Sequence, residues 1–169
     1  MPSKPQLSPY KHRKINCGAK SQFAPDEDTS PHLDLSGIFR VQGIVGFLLY
    51  YARAVNNNIL VSLISIGTEQ AAATEDTAVA VHQLLDYVAT YLDDGITYQA
   101  SDMILSGHSD SSYLNESKAC SQAGAQIFLS EDDPVPKLNG TILTISQIIK
   151  FIVSLVAKAK LAGLYISAK

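Results

Sequence analysis

A change of hydrophobic period at Gly95 constrains this chain more than any other feature. Before it, Val81, Leu84, Leu85, Val88 and Leu92 recur at helical spacing. Thr74 is placed to cap that helix, with Glu75 and Asp76 in its first turn, where the helix dipole favours acids. Asp93-Asp94-Gly95 stops it, and Gly95 is expected to take a positive φ at the C-cap. After it, short β-prone runs take over: Ile96-Thr97-Tyr98, Met103–Leu105, Ala123–Leu129 and Thr141–Ile145. Helices first and antiparallel strands second define an α+β chain.

Two more helices are expected upstream. Ser36 can cap the first, over residues 35 to 55, whose Ile38, Val41, Ile44, Val45, Leu48, Leu49 and Ala52 share a face. Asn56-Asn57-Asn58 breaks it, and Ile59 to Ala73 resumes with Leu60, Leu63, Ile64 and Gly67. Residues 1–34, punctuated by Pro2, Pro5, Pro9, Pro25 and Pro31, read as an irregular arm. The expected organisation is therefore an arm over 1–34, a three-helix unit over 35–95, and a sheet-bearing unit over 96–169. In the last unit Glu131-Asp132-Asp133-Pro134 supplies a turn, and Asn139-Gly140 predicts a tight hairpin. Phe151 to Ala168 reads as a closing helix, with Val153, Val156, Ala157, Leu161, Leu164 and Tyr165 on one face.

Apolar residues make up 46% of the 169, enough to build a core. The net charge of −3 leaves no global basic field for nucleic acid, so any such contact needs a local patch. Lys11-His12-Arg13-Lys14 is one basic cluster, read as a solvated arm or, alternatively, a phosphate-contacting one. The acidic Pro25-Asp26-Glu27-Asp28 would cancel much of its field. Tyr50 and Tyr51 beside Arg53 could stack on bases, or belong to the core with a snorkelling base beside them. Cys17 and Cys120 lack framework spacing and suit a reducing compartment. With no apolar leader at the N-terminus, an intracellular location is expected. Thr141 to Ala157 is strongly apolar but carries Gln147 and Lys150, so a strand feeding a buried helix is expected there, and no membrane partner.

The chemistry-bearing residue is Asp110, at the end of the run Gly107-His108-Ser109-Asp110. A carboxylate at a strand edge is a common way to present a ligand to a divalent metal. His108, two residues earlier, reads as a partly buried histidine near the sheet edge rather than a lone ligand. Around these residues several runs occur in order: CGAK at 17–20, FAPDEDTSP at 23–31, VGFLLYYARAV at 45–55 and LLDYVATY at 84–91. TYQASDMIL at 97–105, HSDSSYLNESKA at 108–119 and AKAKLAGLYISAK at 157–169 follow. Together they resemble a retrotransposon polyprotein of the copia-like class, at the end of the reverse transcriptase (thumb and connection) running into the RNase H domain. The resemblance implies a three-helix unit followed by an incomplete RNase H-like mixed sheet with a C-terminal helix. It implies an RNA–DNA hybrid as ancestral partner, and two Mg²⁺ ions about 4 Å apart as ancestral cofactor.

By that resemblance Asp110 of HSDSSY stands where the first metal-binding carboxylate of the family lies. The second belongs to an AEAEL-like helix motif, which here reads Ala157-Lys158-Ala159-Lys160-Leu161. Lysines replace both glutamates, and Lys160 holds the catalytic place. An ammonium there repels a dication, and an ion pair with Asp110 is expected instead. Two further family aspartates would lie downstream, leaving Asp110 as the one carboxylate of four in this chain. Relatives carry arginines in a KARSRAG-like turn, where Lys118-Ala119-Cys120-Ser121-Gln122-Ala123-Gly124 stands here, so phosphate contacts also look eroded. Tyr91-Leu92-Asp93-Asp94 has the letters of a polymerase motif but ends a helix, where strand–turn–strand is needed. The expectation is a degenerate polyprotein fragment without catalytic activity and with no cofactor of its own. The alternatives are a domesticated non-catalytic module that binds nucleic acid or protein, and an RNase H part of a larger polyprotein. An exposed sheet edge and an uncovered apolar helix face would favour protein association.

Overall fold

The computed structural model describes residues 4–12, 28–114, 120–135, 137–150 and 153–169. They form two compact units that divide between Gly95 and Ile96.

The first unit is built from α1 (Leu35–Ala54), α2 (Leu60–Glu69) and α3 (Glu75–Thr90). Short 3-10 turns at Asn57–Ile59 and Gln70–Ala72 flank α2. Their facing stripes close one core: Val41, Val45, Leu48 and Ala52 from α1, Leu60, Leu63 and Ile66 from α2, and Val81, Leu84 and Tyr87 from α3. The α1 cap is Asp34, whose Oδ1 accepts from the Gly37 backbone N–H at 2.8 Å, and not Ser36. Asp34 wins because it stands one residue before the helix begins, with extended backbone, whereas Ser36 already lies inside the first turn. Asn56 ends the break that follows, accepting from the Asn58 N–H at 3.1 Å. Thr74 caps α3 in a reciprocal box with Thr77, and Glu75 and Asp76 lie in the first turn. At the other end the cap is Tyr91, whose N–H bonds the Tyr87 carbonyl; Gly95 is not the C-cap and has no positive φ. By length and composition α1 is, among the described helices, the one long and apolar enough to cross a membrane.

The arm does not stand apart from this unit. The Leu33 N–H bonds the Ala73 carbonyl at 2.9 Å, the Glu75 N–H bonds the Pro31 carbonyl at 3.0 Å, and the Gln6 N–H reaches Thr90 Oγ1 at 3.0 Å. Of the acidic loop, Asp26 and Glu27 lie outside the described residues, but Asp28 is a fastener. Its carboxylate accepts from Thr74 Oγ1 and from the Ser30 hydroxyl and N–H. These bonds, the one from Thr74 first, hold Asp28 below the ordinary carboxylate value of 3.8. A depressed folded value means that this contribution to stability is present above the unfolded value and is lost as pH falls through the folded one. Asp28→Asn is therefore expected to lower the thermal midpoint near pH 7, with the gap to the parent closing as pH drops below 4. A gap that is constant with pH would contradict this role.

In the second unit β1 (Ile104–Ser111), β2 (Ser121–Ser130) and β3 (Thr141–Ile149) form an antiparallel sheet in the order β1-β2-β3. Asp110 pairs with Gly124 and Ser111 with Ala123, while Ala125 lies between Ser109 and Ile145. A register shift interrupts the β2–β3 ladder at Ile127/Phe128. The described strands are all antiparallel, so the parallel pairing that a mixed sheet needs is not among them. Met103, immediately before β1, and Leu114, three residues after its end, both have left-handed backbone, with φ of 62° and 52°.

Two turn and strand expectations fail here for one reason. Ile96-Thr97-Tyr98 is irregular rather than a strand, and Asn139-Gly140 is not a two-residue hairpin. β2 and β3 are instead joined by ten residues, 131–140. Asn139 spends its side chain as a clamp: Nδ2 donates to the Gln99 and Leu129 carbonyls at 2.9 and 2.8 Å, and Oδ1 accepts from the Gln99 N–H at 2.8 Å. Tyr98 adds a hydroxyl bond to the Thr141 carbonyl at 3.1 Å. A Cβ on Gly140 would stand 2.5 Å from the Thr97 carbonyl oxygen, so glycine is needed there for close approach and not for a turn.

Among the described residues of Thr141–Ala157, strand β3 ends at Ile149 and α4 (Val156–Ser167) begins at Val156, with no spanning helix. Of the face expected to pack, Val153 is buried but precedes α4; within the helix itself the packing face is the opposite one. Val156, Leu161, Leu164 and Tyr165 are exposed, while Ala159, Ala162 and Gly163 pack on the sheet. Periodicity marks both faces as apolar, and steric fit chooses between them: the small side chains let the helix backbone come down onto the strands.

Candidate functional site

Asp110 is the penultimate residue of β1, an outer strand of the sheet. Lys160 lies in the first half of α4. The two elements meet at Gly163, where a Cβ would stand 3.1 Å from Ser111 Cβ and 3.4 Å from the Asp110 carbonyl oxygen. That close seating brings Lys160 Nζ to 3.9 Å from Asp110 Oδ1. The lysine and aspartate side chains are 66% and 84% exposed.

The expected ion pair is thus present, but it is loose. At 3.9 Å it is too long for a hydrogen bond, and an exposed pair of this kind contributes about 0–1 kcal/mol. Lys137 shows the contrast: its Nζ donates to Glu131 Oε2 at 2.8 Å, and that bond holds the ammonium above its ordinary 10.5. Asp110 is therefore a charge neighbour of Lys160 rather than a structural anchor. Lys158, the other lysine of the motif, is exposed and bonds Ser154 Oγ at 3.2 Å.

The remaining sequence candidates do not converge on Asp110. The His108 ring is exposed and stacks on the buried Phe128, with centroids 5.4 Å apart and planes inclined by 27°. Tyr51 packs against the helical core while Tyr50 and Arg53 are exposed, so the tyrosine pair is split. Tyr91–Asp94 is the capping turn of α3, closed by the Asp94 N–H on the Tyr91 carbonyl at 3.3 Å. Lys11 and His12 are exposed; Arg13, Lys14, Cys17, Lys118 and Ala119 lie outside the described residues. Ser121 to Gly124 belong to β2 and not to a turn, and the Gln122 amide donates to Ser146 Oγ at 3.0 Å.

A divalent cation does not fit these residues. One carboxylate faces an ammonium at 3.9 Å, and among the described residues no three His, Cys, Asp or Glu side chains are grouped to hold a metal. Sequence reading missed Gly163 and Asn139. Gly163 had a signal, since a glycine inside an amphipathic helix marks a close approach. For Asn139 the strong hairpin connotation of Asn-Gly hid its clamp role. No family model matches this chain, and no curated protein or solved structure was found to be similar to it. The retroelement resemblance rests on the residue runs quoted above.

Proposed function

We propose that the chain is a catalytically silent derivative of a copia-like retrotransposon polyprotein, from the reverse transcriptase connection and RNase H region. One observation carries this reading: an aspartate on β1 faces a lysine on α4 across 3.9 Å, where the resemblance calls for two acids. An ammonium supplies positive charge at the place a dication would need, and neither activates water nor steadies a leaving oxygen as a metal pair does. A partner chain could add carboxylates but would leave Lys160 in place, which counts against an active nuclease assembled from several chains.

Incubation of the purified chain with an RNA–DNA hybrid and Mg²⁺ or Mn²⁺ is expected to give no cleavage. Robust cleavage that disappears in Asp110→Asn would overturn the reading. The second reading, a non-catalytic binding module, is favoured by the outer edges of β1 and β3, which pair with no further strand among the described residues. A salt-sensitive gel shift on the hybrid would assign that module to nucleic acid, and its absence would leave a protein partner.

A further inference from the structure

Helix α1 is apolar on two opposite faces, and among the described residues only one is packed. Val41, Val45, Leu48 and Ala52 enter the core. On the other side Leu35, Phe39, Phe47 and Tyr50 are 73%, 68%, 78% and 78% exposed. Gly43 and Gly46 lie between them, and a Cβ at either would meet nothing within 4 Å. Glycine inside a helix is unfavourable relative to alanine, so these two weaken α1 with no contact among the described residues that calls for them. A helix that is hydrophobic all round is normally covered all round.

We propose that this outer face of α1 is a homodimer interface in which two copies pair antiparallel about the Gly43–Gly46 step. The stripe is self-complementary about that point. A two-fold axis midway between Gly43 and Gly46 sets Gly43 opposite the second copy's Gly46, Phe39 opposite its Tyr50, and Leu35 opposite its Ala54. Small residues at the crossing allow close backbone approach, and aromatic pairs close on both sides of it. Arg40 borders the stripe, while Ser36 and Arg53 lie at its two ends, where the two-fold sets each opposite the other.

The area also suffices. Three rings of roughly 150–250 Å² each, about three-quarters exposed, offer with Leu35 on the order of 500 Å² of apolar surface per copy. Two copies could then bury up to about 1,000 Å², the lower bound for a specific interface and the size of a weak, concentration-dependent dimer. A lipid surface is the competing occupant: a span across a bilayer would pull Val41, Val45, Leu48 and Ala52 out of the core they share with α2 and α3, whereas a helix lying in the membrane interface would not, so vesicle flotation is the deciding arm of the test.

Sedimentation velocity of the full chain at micromolar concentration is expected to show a dimer. Phe39→Glu and Tyr50→Lys, both at exposed positions, should each weaken it by at least about tenfold with an unchanged circular dichroism spectrum. The double variant Phe39→Glu/Tyr50→Lys should recover the dimer. Opposite charges then meet across an antiparallel pair, whereas in a parallel pair like charges would meet; within one helix the two sites are about 16 Å apart. Leu161→Glu on α4 should leave the dimer intact. The proposal is overturned by a monomer at all concentrations, or by a dimer indifferent to both α1 changes. It is equally overturned if Leu161→Glu alone disperses the dimer, if the double variant stays dissociated, or if a monomeric chain floats with phosphatidylcholine vesicles.

Discussion

Leu84→Ala is expected to destabilise the helical unit by about 2–5 kcal/mol. Leu84 is completely buried and sits where α3 meets the stripes of α1 and α2. Truncation removes the transfer free energy of three carbons and leaves a cavity that helices on three sides cannot fully close. Against a typical domain stability of about 5–15 kcal/mol this is a large fraction. Urea unfolding followed by helical circular dichroism reads it directly. Val79→Ala, on the exposed side of the same helix, should stay within about 0.5 kcal/mol. A loss below about 1 kcal/mol for Leu84→Ala would mean that the three stripes do not close on one another as described.

Gly163→Val is expected to destabilise the sheet unit by about 1–3 kcal/mol. The first added carbon already meets Ser111 Cβ at 3.1 Å and the Asp110 carbonyl oxygen at 3.4 Å. Both atoms belong to strand backbone or its first side-chain carbon and have little room to retreat. Gly163→Ala separates the two effects at work. Its gain in helix propensity, about 1 kcal/mol, offsets the tight contact, so its net effect should be near zero. Valine adds two methyl groups and lacks that propensity, and must lift α4 off β1. Thermal unfolding of the pair decides the matter: a valine variant as stable as the parent would show that the helix does not rest on the strand at this point. The same displacement would carry Lys160 away from Asp110, because α4 positions the lysine and β1 the aspartate.

The legible parts of this fold are those governed by a single period. The α1 stripe and Val81, Leu84, Leu85 and Val88 of the α3 stripe name their own core residues, since one apolar face stands out and its neighbours are helices of the same kind; Leu92 lies beyond the end of α3 and is exposed, and the buried Tyr87 escapes the pattern. The α+β order and the three strands followed by a helix were legible for the same reason. The α4 stripe misleads because both faces are apolar, and contact size rather than hydropathy selects alanines and a glycine for the sheet. Ser36 and Asp34 are equally good caps by type; only the position of the first helical residue separates them. Asn139 depends on a partner forty residues away in Gln99, which no local rule can reach. At the site, the opposite charges of Asp110 and Lys160 were visible in the letters. The 3.9 Å reach was not, because it depends on how deeply Gly163 lets α4 settle.

Met103, the left-handed residue immediately before β1, gives that strand a one-way latch at its N-terminal end. Its conformation costs about 1–2 kcal/mol for a residue with a Cβ. A slip of the chain by one residue toward its N-terminus would bring Ile104 into the position of Met103, and a β-branched side chain is sterically barred from that conformation. Slippage the other way meets no such bar at this end, since Asp102 tolerates left-handed backbone. Either slip would swing Asp110 to the opposite side of the sheet and put Ser111 or Ser109 in its place. The ratchet thus closes one of the two routes by which β1 could exchange its acidic face for a neutral one.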